Sequence, residues 1–83
     1  MTKADFDARL NKATTGDLEA MRDISWLCFK MEEGGRRNND IAGANMYRDL
    51  GNDWKALIDS NSKDSAKLSK AKTETARAFD GCF

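Results

Sequence analysis

Residues 17–33 read DLEAMRDISWLCFKMEE, the densest run of large apolar side chains in the sequence. Its periodicity decides the fold. At 100° per residue, Ala20, Ile24, Leu27 and Met31 fall on one stripe, with Leu18, Met21 and Cys28 beside it. Trp26 and Phe29 widen the apolar surface beyond that stripe, which predicts contact from more than one side. Glu19, Arg22, Asp23 and Lys30 keep the remainder wet. The segment is expected to be the central helix of an all-α bundle.

Upstream, Thr2 is positioned as an N-cap with Asp5 three residues later, a capping-box spacing. Phe6, Leu10 and Ala13 then recur at i, i+4 and i+7, predicting a helix over 3–14. Thr14-Thr15-Gly16-Asp17 breaks the pattern, and either Thr15 or Asp17 can cap the next helix, over 17–33. Downstream, Gly34-Gly35 is read as its stop. Arg36-Arg37-Asn38-Asn39-Asp40 follows as a polar loop able to cap a third helix over 39–50, carrying Ile41, Ala44, Tyr47 and Leu50, with Met46 adjacent. Gly51-Asn52-Asp53 predicts a kink or brief break before a short helix over 53–60. Yet Tyr47, Leu50, Trp54, Leu57 and Ile58 continue one stripe across Gly51, and an internal glycine costs only about 1 kcal/mol. Ser62 is read as the cap of a last helix over 63–79, with a thin stripe of Leu68, Ala71, Thr75 and Phe79. Asp80-Gly81 closes it and leaves Cys82 and Phe83 as a tail. Four to five short helices are therefore expected.

At 83 residues the chain holds one domain at most. A domain this short buries roughly 60–65% of its unfolded surface, so added burial from a partner would matter. Lys plus Arg balance Asp plus Glu at 14 each, which argues against both a dedicated nucleic-acid binder and a wholly acidic mimic of one. The absence of Pro and Val, with abundant Ala, Leu, Lys, Arg and Glu, favours helix. No apolar run follows a basic start, and no window reaches the roughly 18–20 apolar residues of a membrane span. A cytoplasmic protein with Cys28 and Cys82 as free thiols is expected.

Catalytic groups are sparse. There is no His, which removes the commonest general base and metal ligand together. Neither cysteine lies in a CxxC pattern, and a thiol on an apolar helix face is usually inert. Gly34-Gly35-Arg36-Arg37 follows a helix C-terminus, the wrong end of the dipole for phosphate. No enzyme activity, cofactor or metal is expected. Lys63, Lys67, Lys70 and Arg77 lie within about 80° of one another on the last helix. Such a stripe can track phosphates, though a charge run is usually a solvated face. Among the aromatics, Trp26, Phe29, Tyr47 and Trp54 divide between core and exposed anchors, the role in which Trp, Tyr and Arg are over-represented at interfaces.

Ala13-x-x-Gly16-Asp17-x-x-Ala20, Ile24, Gly34-Gly35 and Asp40-x-x-x-Ala44-x-x-Tyr47 together resemble one unit of the Sel-one-like repeats, relatives of the tetratricopeptide repeats. The match spans residues 13–51. Ser25 stands where that family prefers Gly, and Arg48 where a second aromatic is usual; there is no tandem copy. The resemblance implies an antiparallel helical hairpin and protein–protein scaffolding without catalysis.

The expected function is thus a protein-binding module, acting as a stoichiometric inhibitor or adaptor on a larger protein or complex. Trp26, Phe29, Tyr47 and Trp54 would be its anchors, and Arg36 and Arg37 its charged rim. Its profile is similar to that of phage-encoded anti-defence inhibitors, anti-CRISPR proteins among them. The alternative is a nucleic-acid contact through Lys63, Lys67, Lys70 and Arg77. A homo-oligomer that hides its own apolar faces is a third reading.

Overall fold

A computed structural model describes residues 1–83 as four α-helices with no strand: α1 (Lys3–Thr14), α2 (Leu18–Arg37), α3 (Ile41–Asp59) and α4 (Ser65–Ala78). The first start is the one its capping box predicts. The Asp5 amide donates to Thr2 Oγ1 (3.1 Å), and the Thr2 amide donates to the Asp5 carboxylate (3.3 Å). Of the two cap candidates for α2, Asp17 is used, accepting from the Ala20 amide at 2.9 Å.

The expected stop at Gly34-Gly35 is not a stop: α2 continues to Arg37. It ends instead at Asn39, which adopts the left-handed conformation with φ 60°. The Asp40 amide donates to the Gly35 carbonyl (2.8 Å) and the Asn39 amide to that of Arg36 (3.3 Å). This is the paired bonding of a Schellman terminus, with Asn in the place glycine usually takes. Asp40 then caps α3 through the Gly43 amide at 3.0 Å. Gly35 serves packing. A Cβ there would stand 3.2 Å from the Ala44 Cβ, the Ala44 nitrogen and the Asp40 carbonyl, so its absence lets the start of α3 lie against α2.

The expected break at Gly51 is also absent, and the helices read over 39–50 and 53–60 are one. A Cβ at Gly51 would come 2.8 Å from the Phe29 ring. The glycine is a seat for that ring, and the apolar stripe running through it, rather than the residue's propensity, decides the outcome. Ser25 Oγ donates to the Gly51 carbonyl at 3.2 Å, a second tie across the α2–α3 hairpin. α3 ends like α2: Asn61 sits at φ 47°, and the Ser62 amide donates to the Leu57 carbonyl. The last helix starts at Ser65 rather than 63. Its cap is Asp64, which accepts from the Ala66 and Lys67 amides (3.0 and 3.3 Å), and not Ser62.

α2 and α3 form the most extensive pair. α1 packs on α2 and α4, and α3 on α4, with no close backbone approach between α1 and α3 or between α2 and α4. The helices thus stand as a four-cornered ring, and α2 is one of two long members rather than a helix surrounded by the rest. Met21, Ile24 and Cys28 from α2, Trp54 from α3 and Thr75 from α4 are fully buried. Burying a ring the size of Trp54 removes on the order of 200 Å² from water, about 5 kcal/mol. The polar edge of that ring is satisfied: Trp54 Nε1 donates to Thr75 Oγ1 at 2.9 Å. No buried side-chain polar atom is left without a partner.

The C-terminal segment does not trail as a tail. Gly81, with φ 82°, turns it back, and Phe83 stacks on Phe6 with centroids 5.0 Å apart, beside Phe79 at 6.2 Å. Ile41, expected on the inner stripe of α3, is half exposed at the helix start. No helix is long and apolar enough to cross a membrane.

Candidate functional site

The six residues expected at a partner surface have different uses in the fold. Trp54 is wholly buried and hydrogen-bonded to Thr75, so it is not an exposed anchor. Tyr47 is also buried. Its hydroxyl donates to the Ala78 carbonyl at 2.6 Å, holding the end of α4 against α3, and it lies 3.9 Å from Cys82 Sγ. Burial, reinforced by the Cys82 contact, pushes the Tyr47 hydroxyl up to about 12. Phe29 is half buried over Gly51. Arg36 is held between helices: its guanidinium donates to Glu32 (2.6 Å) and to Asn45 Oδ1 of α3 (3.3 Å).

Trp26 differs from all of these. It is 59% exposed on the outer face of α2, and no helix packs over it. The face follows from register: the buried side of α2 is set by Met21, Ile24 and Cys28, and a residue two positions past Ile24 projects about 200° away. Arg22, Lys30, Glu33 and Arg37 share the Trp26 stripe. Lys30 Nζ stands 5.4 Å from the centre of the indole, an exposed cation–π contact of about 0.5–1 kcal/mol. Lys30 and Arg37 both pair with Glu33 (3.5 and 3.7 Å). The result is one large flat ring whose neighbouring Lys30 and Arg37 already have a counter-charge. It can be covered by an apolar partner surface without stranding either cation.

The basic stripe expected on the last helix loses a member. Lys63 precedes α4, and its ammonium donates to the Gly16 carbonyl at 2.7 Å, tying the α3–α4 connection to the α1–α2 turn. Lys67, Lys70 and Arg77 remain, exposed on α4. They border a groove between the antiparallel α3 and α4. Its larger hollow, about 660 Å³, is lined by Met46, Leu50 and Asp49 from α3 and by Glu74 and Arg77 from α4. A smaller hollow of about 200 Å³ continues it past Asp53, Lys70 and Lys67. The Asp53 carboxyl is raised above its ordinary value, first by partial burial and then by the charges of Glu74 and Asp49, against which Lys70 acts.

Cys28 is buried and Cys82 exposed, both as free thiols. Burial pushes the Cys28 thiol up to about 12, with the Asp53 charge adding to the effect. No set of three or more His, Cys, Asp or Glu side chains is grouped to hold a metal ion.

Two contacts at these sites lie beyond the reach of sequence periodicity. The Arg36–Asn45 link joins residues nine apart across a turn whose shape no helical repeat specifies. Thr75 reads as one more member of a thin stripe, with nothing to mark it as the partner of an indole. The Asn38-Asn39-Asp40 run does carry a usable signal: Asn tolerates the left-handed region, and Asp caps the next helix. Compared with known proteins, the chain matches no family model, no curated protein and no solved structure.

Proposed function

We propose that the chain is a non-enzymatic protein-binding module of the cytoplasm, a stoichiometric inhibitor or adaptor that docks on a larger partner through the outer face of α2. One observation carries this reading. The fold occupies every other ring of the expected anchor set in packing, yet leaves Trp26 59% exposed. An exposed Trp stacked under a lysine loses little further freedom on binding, and buried Trp side chains dominate interface energetics. Arg37 belongs to the same stripe and forms part of the rim. Phe29, Tyr47 and Trp54 are engaged in the packing of the helices, and Arg36 is tied to Glu32 and Asn45. The Sel-one-like resemblance of residues 13–51 points the same way, toward scaffolding. So does the short, motif-poor profile shared with phage anti-defence inhibitors, including anti-CRISPR proteins.

The nucleic-acid alternative rests on Lys67, Lys70 and Arg77. Glu74 interrupts that stripe, and Asp53 and Asp49 face it across the groove, so phosphate would meet carboxylates there. The test is recovery of a stoichiometric partner from host lysate by the tagged chain, with and without nuclease. The proposal expects a protein partner that survives nuclease and moderate salt. It should be lost with Trp26→Ala and kept with Lys67→Glu combined with Lys70→Glu, both variants retaining wild-type thermal stability. Recovery that depends on nucleic acid and fails in the lysine variant would transfer the function to α4. Recovery indifferent to Trp26→Ala would remove the docking face from α2.

A further inference from the structure

On α1, α2 and α3, many charges are satisfied within the chain. Lys3 pairs with Asp7, Arg9 with Asp23, Lys30 and Arg37 with Glu33, Arg36 with Glu32, and Arg48 with Asp49. The α3–α4 groove gathers charges of the other kind. Asp53, Glu74, Lys67, Lys70 and Arg77 lie along it with both signs present, and none is within 4.0 Å of an opposite charge. The arrangement is also polarised. The α3 wall carries carboxylates, the α4 wall three cations against one acid, and 43%-exposed Met46 lies between them.

We propose that this face pairs with a second copy of the chain about a two-fold axis running along the groove. Rotation about that axis lays α3 of one copy antiparallel on α4 of the other and preserves height along the helices. Asp53 and Lys70 line the same hollow, so each then faces its counterpart across the interface, twice by symmetry. Met46 of each copy covers the apolar end of the other's groove. A surface whose two walls carry opposite charge is complementary to itself only in this orientation. Turning the axis across the helices would set carboxylates on carboxylates. A stable interface buries about 800 Å² per partner, roughly one sixth of the 5102 Å² exposed by the chain, which is within reach of a face spanning two of four helices. Because α2 stands diagonal to α4, both Trp26 faces stay open, and the pair becomes bivalent.

Sedimentation equilibrium with the full chain, taken to about 1 mM, where even a weak pair is populated, tests the proposal. A dimer mass is expected. Asp53→Lys and Lys70→Asp should each raise the dissociation constant about tenfold or more, because each sets like charges face to face. Mixing the two variants should restore association. The lysine introduced in one chain then faces the aspartate introduced in the other, and the native Lys70 of the first faces the native Asp53 of the second. Far-UV circular dichroism of each variant shows that the helices persist. A wild-type chain that remains monomeric at this concentration would overturn the proposal, and so would a mixture that associates no better than its components.

Discussion

Two glycines within helix α2 and helix α3 should respond to the same substitution with opposite sign. Gly→Ala inside a helix stabilises by about 1 kcal/mol, through propensity and a less disordered unfolded chain. At Gly34 nothing lies within 4 Å of the added Cβ, so Gly34→Ala should realise that gain. At Gly51 the Cβ would stand 2.8 Å from two carbons of the Phe29 ring and 3.0 Å from a third. A comfortable carbon–carbon contact is about 3.5–4.0 Å, so the ring must move by roughly 1 Å. It is hemmed in between helices, and overpacking of this kind costs about 1–3 kcal/mol. Setting that against the propensity gain leaves Gly51→Ala destabilised by up to about 2 kcal/mol. In a chain this size 1 kcal/mol moves the midpoint by roughly 4–8 °C, so a difference of about 1–3 kcal/mol should separate the two variants by roughly 4–24 °C, with Gly34→Ala above wild type and Gly51→Ala at or below it. Thermal and urea denaturation followed by helical circular dichroism measure this directly. Phe29→Leu, which withdraws the ring, should remove much of the Gly51→Ala penalty. If Gly51→Ala instead stabilises as much as Gly34→Ala, the ring does not rest on that glycine, and the explanation for the unbroken α3 fails.

Further outcomes are expected of the buried polar contacts and thiols. Thr75→Val keeps shape but removes the acceptor of the Trp54 indole, leaving a buried N–H unpaired; a loss of about 1–3 kcal/mol in urea unfolding is expected, and wild-type stability would show that the indole finds another acceptor. Tyr47→Phe should cost about 1 kcal/mol and raise amide exchange at the end of α4 ahead of the rest of the helix. The folded Cys28 thiol sits near 12 against an ordinary 9.0. The unfolded chain therefore binds fewer protons across that window, and stability should fall as pH rises from about 9 toward 12. Cys28→Ala should flatten part of that fall, as urea midpoints at about pH 8 and above about pH 10 would show. With a colorimetric disulfide reagent at about pH 8, Cys82 should react at once and Cys28 only on unfolding.

Much of the fold is legible because large side chains repeat at helical spacing. Phe6, Leu10 and Ala13, and then Leu68, Ala71, Thr75 and Phe79, are buried as their stripes require. Glycines are where the sequence misleads. Gly35 and Gly51 read as breaks because local propensity says nothing of the groups packed opposite. Those groups, the first turn of α3 for one and the Phe29 ring for the other, are known only once the hairpin is folded. The true ends fall at Asn39 and Asn61, where the left-handed backbone is carried by a residue that also occurs inside loops of every kind. The candidate surface is half legible for a related reason. Periodicity places Trp54 and Tyr47 on the stripe that must be inside and turns Trp26 to the opposite side of α2, but it leaves Phe29 between the two faces. Only the position of α3 shows that Phe29 is covered.

The ring arrangement of the helices bears on how the chain reaches this state. Three of the four contacts join neighbours in sequence, α1 with α2, α2 with α3 and α3 with α4, and each can form by closing a short connection. The fourth, α1 with α4, joins the two ends through Phe6, Phe79 and Phe83. A chain with so local a contact map should fold on the fast side of the range for its length. The seam between its ends is the natural last step. Phe6→Leu would then speed unfolding while leaving the folding rate nearly unchanged, whereas Ser25→Ala in the hairpin would slow folding. The lifetime of the native state would be set at the aromatic seam, far along the chain from the hairpin where order begins.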